Sequence, residues 1–97
     1  MKQTLTVDAR GRVRIPAAMI KGIGLGDGDE ATVDYNENDK ELFINGTGGN
    51  NSMDHAEQYI VDQYCNIRIG STVLYQAGLG KRVTIKAEAE NGYIRLY

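Results

Sequence analysis

An internal repeat is the sequence feature that most constrains how this chain can fold. Three short segments of the first half recur in the second half at one constant offset. They are Val7-Asp8 with Val61-Asp62, Arg14-Ile15 with Arg68-Ile69, and Gly24-Leu25-Gly26 with Gly78-Leu79-Gly80. Self-similarity at a fixed offset indicates that one supersecondary unit occurs twice.

The copies run from about 5 to 44 and from about 59 to 96. After Gly80 the second copy is two residues shorter, so that Ala31-Thr32-Val33 aligns with Val83-Thr84-Ile85. Between the copies, residues 45–58 are predicted to be a linker, because most of this segment is Gly, Asn, Ser and Thr.

Each copy reads as strand, strand, short helix, strand, strand. Alternating polar and apolar residues predict strands at 4–7 and 12–15. Pro16 suits the start of a helix at 17–23, and Gly24 suits the left-handed residue that ends it. Residues 31–44 then read as a closing hairpin. In the second copy the corresponding elements are strands at 59–61 and 66–69, a helix with Ser71 as its N-cap and Gly78 at its end, and a hairpin at 83–96.

A copy of about 40 residues is too short to support its own core. We therefore expect the two copies to interlock around a pseudo-twofold axis as one closed β-barrel, which also removes exposed sheet edges. The predicted fold is mainly β, with two ββαββ repeats and two short helices. The whole chain, residues 1–97, is expected to form a single domain.

Composition excludes several classes of protein. The chain is 41% hydrophobic and 25% charged, with a net charge of −2, which is typical of a soluble globular domain. One cysteine and one histidine, Cys65 and His55, provide neither a disulfide nor a metal site, and no cofactor is expected. No apolar run is long enough to span a membrane, so we predict a cytoplasmic protein with no membrane partner. With an isoelectric point near 5.3, any DNA binding has to be local.

Residues 7–16 have the sequence Val-Asp-Ala-Arg-Gly-Arg-Val-Arg-Ile-Pro, followed by a short helix, Ile23-Gly24-Leu25 and Gly28-Asp29-Glu30. This order and spacing resembles the AbrB/MazE/SpoVT family over the first 44 residues, and the second copy resembles it more weakly. In that family two such units, usually from two chains, form a swapped-hairpin barrel that binds DNA. The resemblance implies an AbrB-like barrel in which one chain supplies both units.

Basic residues of the first copy form the candidate DNA-binding arm. Arg10, Arg12 and Arg14 alternate, so an extended strand would place all three on one face at intervals of roughly 6.6 Å. The resemblance implies that this segment and the helix carry basic side chains to DNA, which assigns Arg10, Arg12 and Lys21 to duplex DNA. A solvated strand face is the alternative for a bare alternation of charge.

A structural role is predicted for the residues that recur in both copies. Arg14 has a counterpart in Arg68, and Asp8 has one in Asp62. A carboxylate on one strand and a guanidinium on its neighbour would stabilise a barrel. We therefore expect Asp8, Arg14, Asp62 and Arg68 to form structural ion pairs, and we favour this role over DNA contact for Arg14 and Arg68.

Tyrosines mark a possible protein interface in the second copy. Tyr64 and Tyr75 stand where the first copy has Arg10 and Lys21. Tyrosine is enriched in protein interfaces, so exposure of these two would indicate a protein partner or a homodimer. Half-buried strand tyrosines are the ordinary alternative.

These features support two hypotheses about the function of the protein. The first is a DNA-binding transcriptional regulator of the AbrB-like type, which docks the basic arm of the first repeat on duplex DNA. The alternative is a non-enzymatic protein-binding module on the same barrel, such as a divergent antitoxin or an inhibitor. No residues combine a nucleophile with a base, so we do not expect an enzyme.

Overall fold

The structure, a computed structural model, describes residues 1–36, 38–46, 56–90 and 92–97. Within these residues the second copy repeats the order of elements of the first. In chain order the elements are β1 (Lys2–Thr6), β2 (Val13–Ile15), α1 (Ala17–Gly22), β3 (Glu30–Asn36), β4 (Glu41–Asn45), β5 (Ala56–Ile60), β6 (Ile67–Ile69), α2 (Ser71–Gln76), β7 (Thr84–Glu90) and β8 (Tyr93–Leu96). The prediction of a mainly β fold with two short helices is confirmed.

The strands pair mostly between the copies. A six-stranded antiparallel sheet has the order β1-β7-β8-β4-β3-β5, and β2 pairs with β6 in a separate two-stranded ribbon. The first strand of each copy therefore pairs with the third strand of the other copy. The β4–β8 ladder and the ribbon join equivalent strands. Neither copy can form this sheet without the other.

The pairing of the described strands differs from the single closed sheet that the sequence predicts. β1 and β5 are the two ends of the six-stranded sheet and do not pair with each other. Each of them leads through a tight turn into a ribbon strand, closed by the hydrogen bonds from Asp8 N–H to Arg12 O (2.8 Å) and from Asp62 N–H to Asn66 O (3.1 Å). The chain turns away at the sheet ends, so the two ribbon strands pair with each other instead.

The alignment of the two copies at β3 and β7 differs from the one predicted from the sequence. Ala31 pairs with Tyr59, and Ile85 pairs with Leu5. Because Tyr59 and Leu5 are equivalent in the repeat, Ala31 corresponds to Ile85, and the predicted alignment of Ala31 with Val83 is wrong.

The two-residue difference between the copies lies in their hairpin turns. Residues 37–40 separate β3 from β4, whereas only residues 91–92 separate β7 from β8. Strand side chains alternate with a period of two, so a shift of two residues leaves each of them on its own face. The sequence pattern therefore cannot locate the shift.

The copies also extend further than predicted. β1 begins at Lys2, β4 continues to Asn45 and β5 begins at Ala56, so the segment between the paired strands is shorter than the predicted linker of 45–58. Residues 47–55 of that linker, including His55, lie outside the described residues. No helix among the described residues is long and apolar enough to cross a membrane.

One cluster of buried apolar side chains joins the sheet, the ribbon and the helices. The alternation of side chains along the strands directs apolar residues into this cluster. Each three-residue ribbon strand, for example, buries its first and last side chains and exposes the middle one. Both copies contribute to this one cluster, so neither copy has a separate core. Its largest fully buried members are Ile15, Met19, Ile20, Leu42, Ile44, Ile67, Ile69, Leu74, Leu79, Ile85, Ile94 and Leu96.

The helix ends follow from local sequence. Gly24 and Gly78 have φ values of +87° and +81°, as predicted for residues that end a helix in the left-handed conformation. The next amide in each case bonds back into the last turn, from Leu25 N–H to Ile20 O at 3.2 Å and from Leu79 N–H to Leu74 O at 2.8 Å. The predicted N-cap is wrong, because Gly70 precedes α2 without a side-chain cap and Ser71 is the first helical residue.

Asp34 is a buried charged group on β3. The exposed fraction of Asp34 is 0%. One carboxylate oxygen accepts a hydrogen bond from Asn45 Nδ2 at 3.3 Å, and the other has no partner among the described residues. Burial raises the pKa of Asp34, because it disfavours the ionised form. This carboxylate is therefore a cost to the folded state at neutral pH.

Replacing Asp34 with asparagine is expected to raise the free energy of unfolding by about 1 kcal/mol at pH 7, because a neutral amide costs less to bury than an unsatisfied carboxylate. The raised pKa means that the folded state binds a proton at higher pH than the unfolded chain. The cost therefore decreases, and the advantage of the variant shrinks, as the pH falls through the folded-state pKa. Denaturant unfolding at about pH 7 and about pH 4.5 measures this. The exposed Asp27→Asn variant is the control, and an equal advantage of Asp34→Asn at both pH values would contradict the assignment.

Candidate nucleic-acid interface

The ribbon places two arginines side by side on the protein surface. Arg14 and Arg68 are the central residues of β2 and β6, and the antiparallel register sets them directly opposite each other. Both are exposed, while the flanking strand residues point into the core. Opposed side chains on an antiparallel pair have Cβ atoms about 5 Å apart, and like charges at that distance destabilise the pair. The ribbon therefore carries an unfavourable concentration of positive charge.

The predicted ion pairs of these arginines are wrong. Among the described residues neither Arg14 nor Arg68 takes part in an ion pair, and Asp8 pairs with Arg12 instead, at 3.3 Å. Asp62 accepts hydrogen bonds from the amides of Tyr64 and Asn66, both at 2.9 Å. The repeated aspartates accept hydrogen bonds from the amides of their turns. The repeated arginines lie opposite each other in the ribbon.

Ion pairs that join strands lie on the six-stranded sheet. Arg95 on β8 contacts Glu41 on β4 at 3.2 Å and Glu88 on β7 at 3.7 Å, and its guanidinium lies 4.1 Å from the centre of the Tyr97 ring. Lys2 on β1 also contacts Glu88, at 3.7 Å. The ion pairs that bridge strands therefore lie on the six-stranded sheet, across β1, β7, β8 and β4.

The turn from Asp8 to Arg12 presents the remaining arginines of the predicted arm. The Asp8 carboxylate accepts hydrogen bonds from the backbone amides of Arg10 and Arg12, both at 2.9 Å, and from Arg12 Nε at 3.3 Å. Gly11 has a φ of +76°, which glycine adopts without strain. Arg10 and Arg12 therefore project from a turn, and the predicted extended comb of Arg10, Arg12 and Arg14 does not form.

Hydrogen bonding holds Asp8 in its ionised form. The amide of Arg12 is the main cause that lowers the pKa of Asp8, with further contributions from the Arg10 amide and from the charge of Arg12. Because the folded-state pKa is depressed, the carboxylate stabilises the turn at neutral pH, and this effect is lost as the pH falls through that pKa.

Asp8→Ala is expected to speed hydrogen exchange of the Arg10 and Arg12 amides several-fold, because their acceptor is removed. Asp8→Asn keeps an oxygen acceptor and should have a smaller effect. Asp62→Ala is the matched control, since it removes the acceptor of the other turn. Exchange rates of the Arg10 and Arg12 amides that rise equally in the Asp8→Ala and Asp62→Ala variants would show that the carboxylate does not act locally.

The predicted arm is divided between the two helices. A Cβ on Gly11 would lie 3.1 Å from Ser71 Cβ, so the arginine-bearing turn packs against the start of α2. In the equivalent turn, Cys65 Sγ lies 3.7 Å from Leu25 O, just after α1. The Arg10–Arg12 turn thus contacts the start of α2, and the equivalent turn contacts the segment that follows α1. Lys21 lies on the helix that the arginine-bearing turn does not approach in this way.

The two tyrosines are exposed, as an interface role requires. Tyr64 is 71% exposed and Tyr75 is 68% exposed. Because of the crosswise packing, Tyr75 belongs to the helix that contacts the Arg10–Arg12 turn, whereas Tyr64 belongs to the turn beside α1. They are attached to opposite ends of the ribbon.

The sequence pattern predicts only a structural role for Arg14 and Arg68 and does not show that they lie side by side. Their repetition pointed to a shared task, but the cross-copy register that opposes them depends on how the copies dock. Within the described residues, His, Cys, Asp and Glu side chains form no group of three or more that would hold a metal. In comparisons with protein-family models, curated proteins and solved structures, no match was found.

Proposed function

We propose that the protein is a DNA-binding regulator whose primary contact is the ribbon, with Arg14 and Arg68 on the phosphate backbone of a duplex. The observation that carries this proposal is the direct opposition of two exposed arginines that lack counter-ions among the described residues. The repulsion between the two arginines costs stability in the free protein, and a bound anion would remove that cost. Phosphate oxygens suit the fork of a guanidinium.

The packing of the ribbon against the core favours contact with the DNA backbone over insertion into a groove. Val13, Ile15, Ile67 and Ile69 are buried, so the ribbon lies against the core and presents only its outer side chains. Backbone contacts depend strongly on salt and carry little sequence information. Arg10 and Arg12 extend this contact from the adjoining turn, while Lys21 adds charge from α1.

The interlocked copies support an AbrB-like interpretation of the fold. In this proposal the cross-copy pairing of β1 with β7 and of β5 with β3 is a one-chain form of the swapped-hairpin arrangement. A pseudo-twofold protein matches a DNA site of approximate twofold symmetry. The proposal includes a cytoplasmic location, a binding role without catalysis, and the possibility of a homodimer that doubles the phosphate contacts.

Fluorescence anisotropy of a labelled A/T-rich duplex tests this proposal. The wild-type protein is expected to bind at about 50 mM salt and to lose affinity at about 200 mM, because counterions are released on binding. Arg12→Ala should bind more weakly, since it removes one cation beside the ribbon. Absence of wild-type binding at the lower salt concentration would overturn the proposal.

A protein-binding module is the second candidate, and the exposure of Tyr64 and Tyr75 favours it. In this case the barrel-like fold recognises a protein partner, as a divergent antitoxin or inhibitor does. A Tyr64→Ser/Tyr75→Ser variant separates the two functions. It should keep duplex affinity if the ribbon binds DNA, and it should lose partner or self-association if the tyrosines form an interface.

A further inference from the structure

A positively charged groove lies beside α2, between its C-terminal end and the turn after β3. It has a volume of about 490 Å³. Three of its lining residues are cationic, and none of those described is acidic. Within the described part of the chain these three cations form no ion pair. The lining consists of Lys40, Tyr75, Gln76, Gly78, Gly80, Lys81 and Arg82.

Backbone packing fixes the walls of this groove. The loop after α2 passes so close to the helix that a Cβ on Gly80 would lie 2.6 Å from Tyr75 Cα. On the other side, the Tyr35 hydroxyl donates a hydrogen bond to Gln76 Oε1 at 2.9 Å, which ties the end of β3 to the end of α2. Lys40 follows in the turn after β3, with a left-handed φ of +55°.

The groove depends on differences between the copies. The turn after β3 has two residues more than the turn after β7, and Lys40 belongs to the longer turn. At the helix position of Tyr75 the first copy has Lys21. The groove therefore joins Lys40 of the first copy to Tyr75 of the second, whose counterparts in the repeat are Gly92 and Lys21.

Tyr75 stands between this groove and a second depression. The ring is 68% exposed. The neighbouring depression, of about 320 Å³, is lined by Ser71, Thr72, Tyr75 and Gly80. An exposed aromatic ring next to a basic groove provides a stacking surface for a base and cations for its phosphate.

We infer that this groove binds a nucleotide, with its phosphate at Lys40, Lys81 and Arg82 and its base on the Tyr75 ring. Charge-assisted hydrogen bonds from ammonium and guanidinium groups recognise the phosphate. The nucleotide is either free or one unit of a nucleic-acid chain. The site is separate from the Arg14–Arg68 pair and does not depend on the function proposed for the ribbon.

Backbone NMR of the full chain, titrated with adenosine monophosphate, tests this site. The amide signals of Gly78 and Gly80 are expected to shift. Lys81→Gln/Arg82→Gln should weaken binding about tenfold, and Lys40→Gln should weaken it less. Lys86→Gln, an exposed lysine outside the groove, is the charge control. Unshifted groove amides, or equal affinity of the wild-type protein and Lys81→Gln/Arg82→Gln, would overturn the site.

Tyr75→Ala tests the stacking contact separately. This variant should weaken binding of adenosine monophosphate and leave the weaker binding of inorganic phosphate unchanged. If Tyr75→Ala left the affinity for adenosine monophosphate at the wild-type value, the nucleotide assignment would be wrong.

A short single-stranded oligonucleotide distinguishes the two sources of the nucleotide. Tighter binding of the oligonucleotide than of the mononucleotide supports a chain unit, and equal or weaker binding supports a free nucleotide. Arg14→Gln/Arg68→Gln should retain mononucleotide binding. If that variant keeps wild-type duplex binding, the ribbon proposal fails while the groove stands. If Lys81→Gln/Arg82→Gln keeps wild-type mononucleotide binding while the ribbon variant loses duplex binding, the groove proposal fails while the ribbon stands.

Discussion

Replacing Gly80 with alanine is expected to lower the free energy of unfolding by about 3 kcal/mol, the upper part of the usual range for overpacking. The added Cβ would lie 2.6 Å from Tyr75 Cα, 2.9 Å from its Cβ and 3.0 Å from its backbone nitrogen. These atoms belong to α2 and cannot rotate away, so the loop or the helix has to move. For a domain of this size, the melting temperature should fall by more than about 10 °C.

Gly26→Ala is the matched control, because Gly26 occupies the equivalent position of the first copy. The nearest atom to its added Cβ is Asp29 Oδ2 at 3.8 Å, an ordinary contact. This variant should be neutral or more stable by up to about 1 kcal/mol, through the reduced entropy of the unfolded chain. Equal destabilisation of the two variants in thermal and denaturant unfolding would contradict the described contact of Gly80 with α2.

Arg14→Gln/Arg68→Gln is expected to weaken binding of duplex DNA by about tenfold at low salt, or about 1.4 kcal/mol, because two phosphate contacts are lost. Its free energy of unfolding should rise by a few tenths of a kcal/mol, since the repulsion between opposed like charges disappears. Anisotropy titration and denaturant unfolding of the same preparation measure both effects. A stabilising structural role of the arginines would produce the opposite change in stability.

The matched control for this variant is Lys2→Gln/Lys86→Gln, which removes the same charge from the six-stranded sheet. Lys86 is exposed, and the one ion pair of Lys2 among the described residues is the 3.7 Å surface contact with Glu88. Such contacts contribute little to stability. Duplex affinity should fall much less than in the ribbon variant. Equal losses in the two variants would mean that net charge governs binding and that the ribbon has no special part.

Local chemistry made much of this fold predictable. The period-two pattern of the strands and the glycines that end each helix depend on only a few neighbouring residues. Gly24 and Gly78 have the predicted positive φ. The repeat then applies the same local structure to both copies. The aspartate turns also follow from local sequence, although the repeat favours ion pairs with Arg14 and Arg68 that do not form within the described part of the chain. Asp8 sits two and four residues before the amides it binds, a distance that a short side chain spans within one turn.

Contacts between the copies were not predictable from the sequence. The opposition of Arg14 to Arg68 depends on the register of the ribbon, and a repeat shows only that both have the same environment. The different surroundings of Gly26 and Gly80 are likewise invisible in two identical Gly-Leu-Gly segments. The division of the predicted arm between α1 and α2 has the same origin, since the Arg10–Arg12 turn of the first copy packs on the start of α2 in the second.

The salt dependence of duplex binding, compared between the wild-type protein and Arg14→Gln/Arg68→Gln, tests the central proposal most directly. Each phosphate contact on duplex DNA contributes about −0.9 to the slope of log affinity against log salt concentration. The double variant should therefore have a slope that is less negative by about 2. An unchanged slope would contradict the assignment of Arg14 and Arg68 to the phosphate backbone, even if the protein binds DNA.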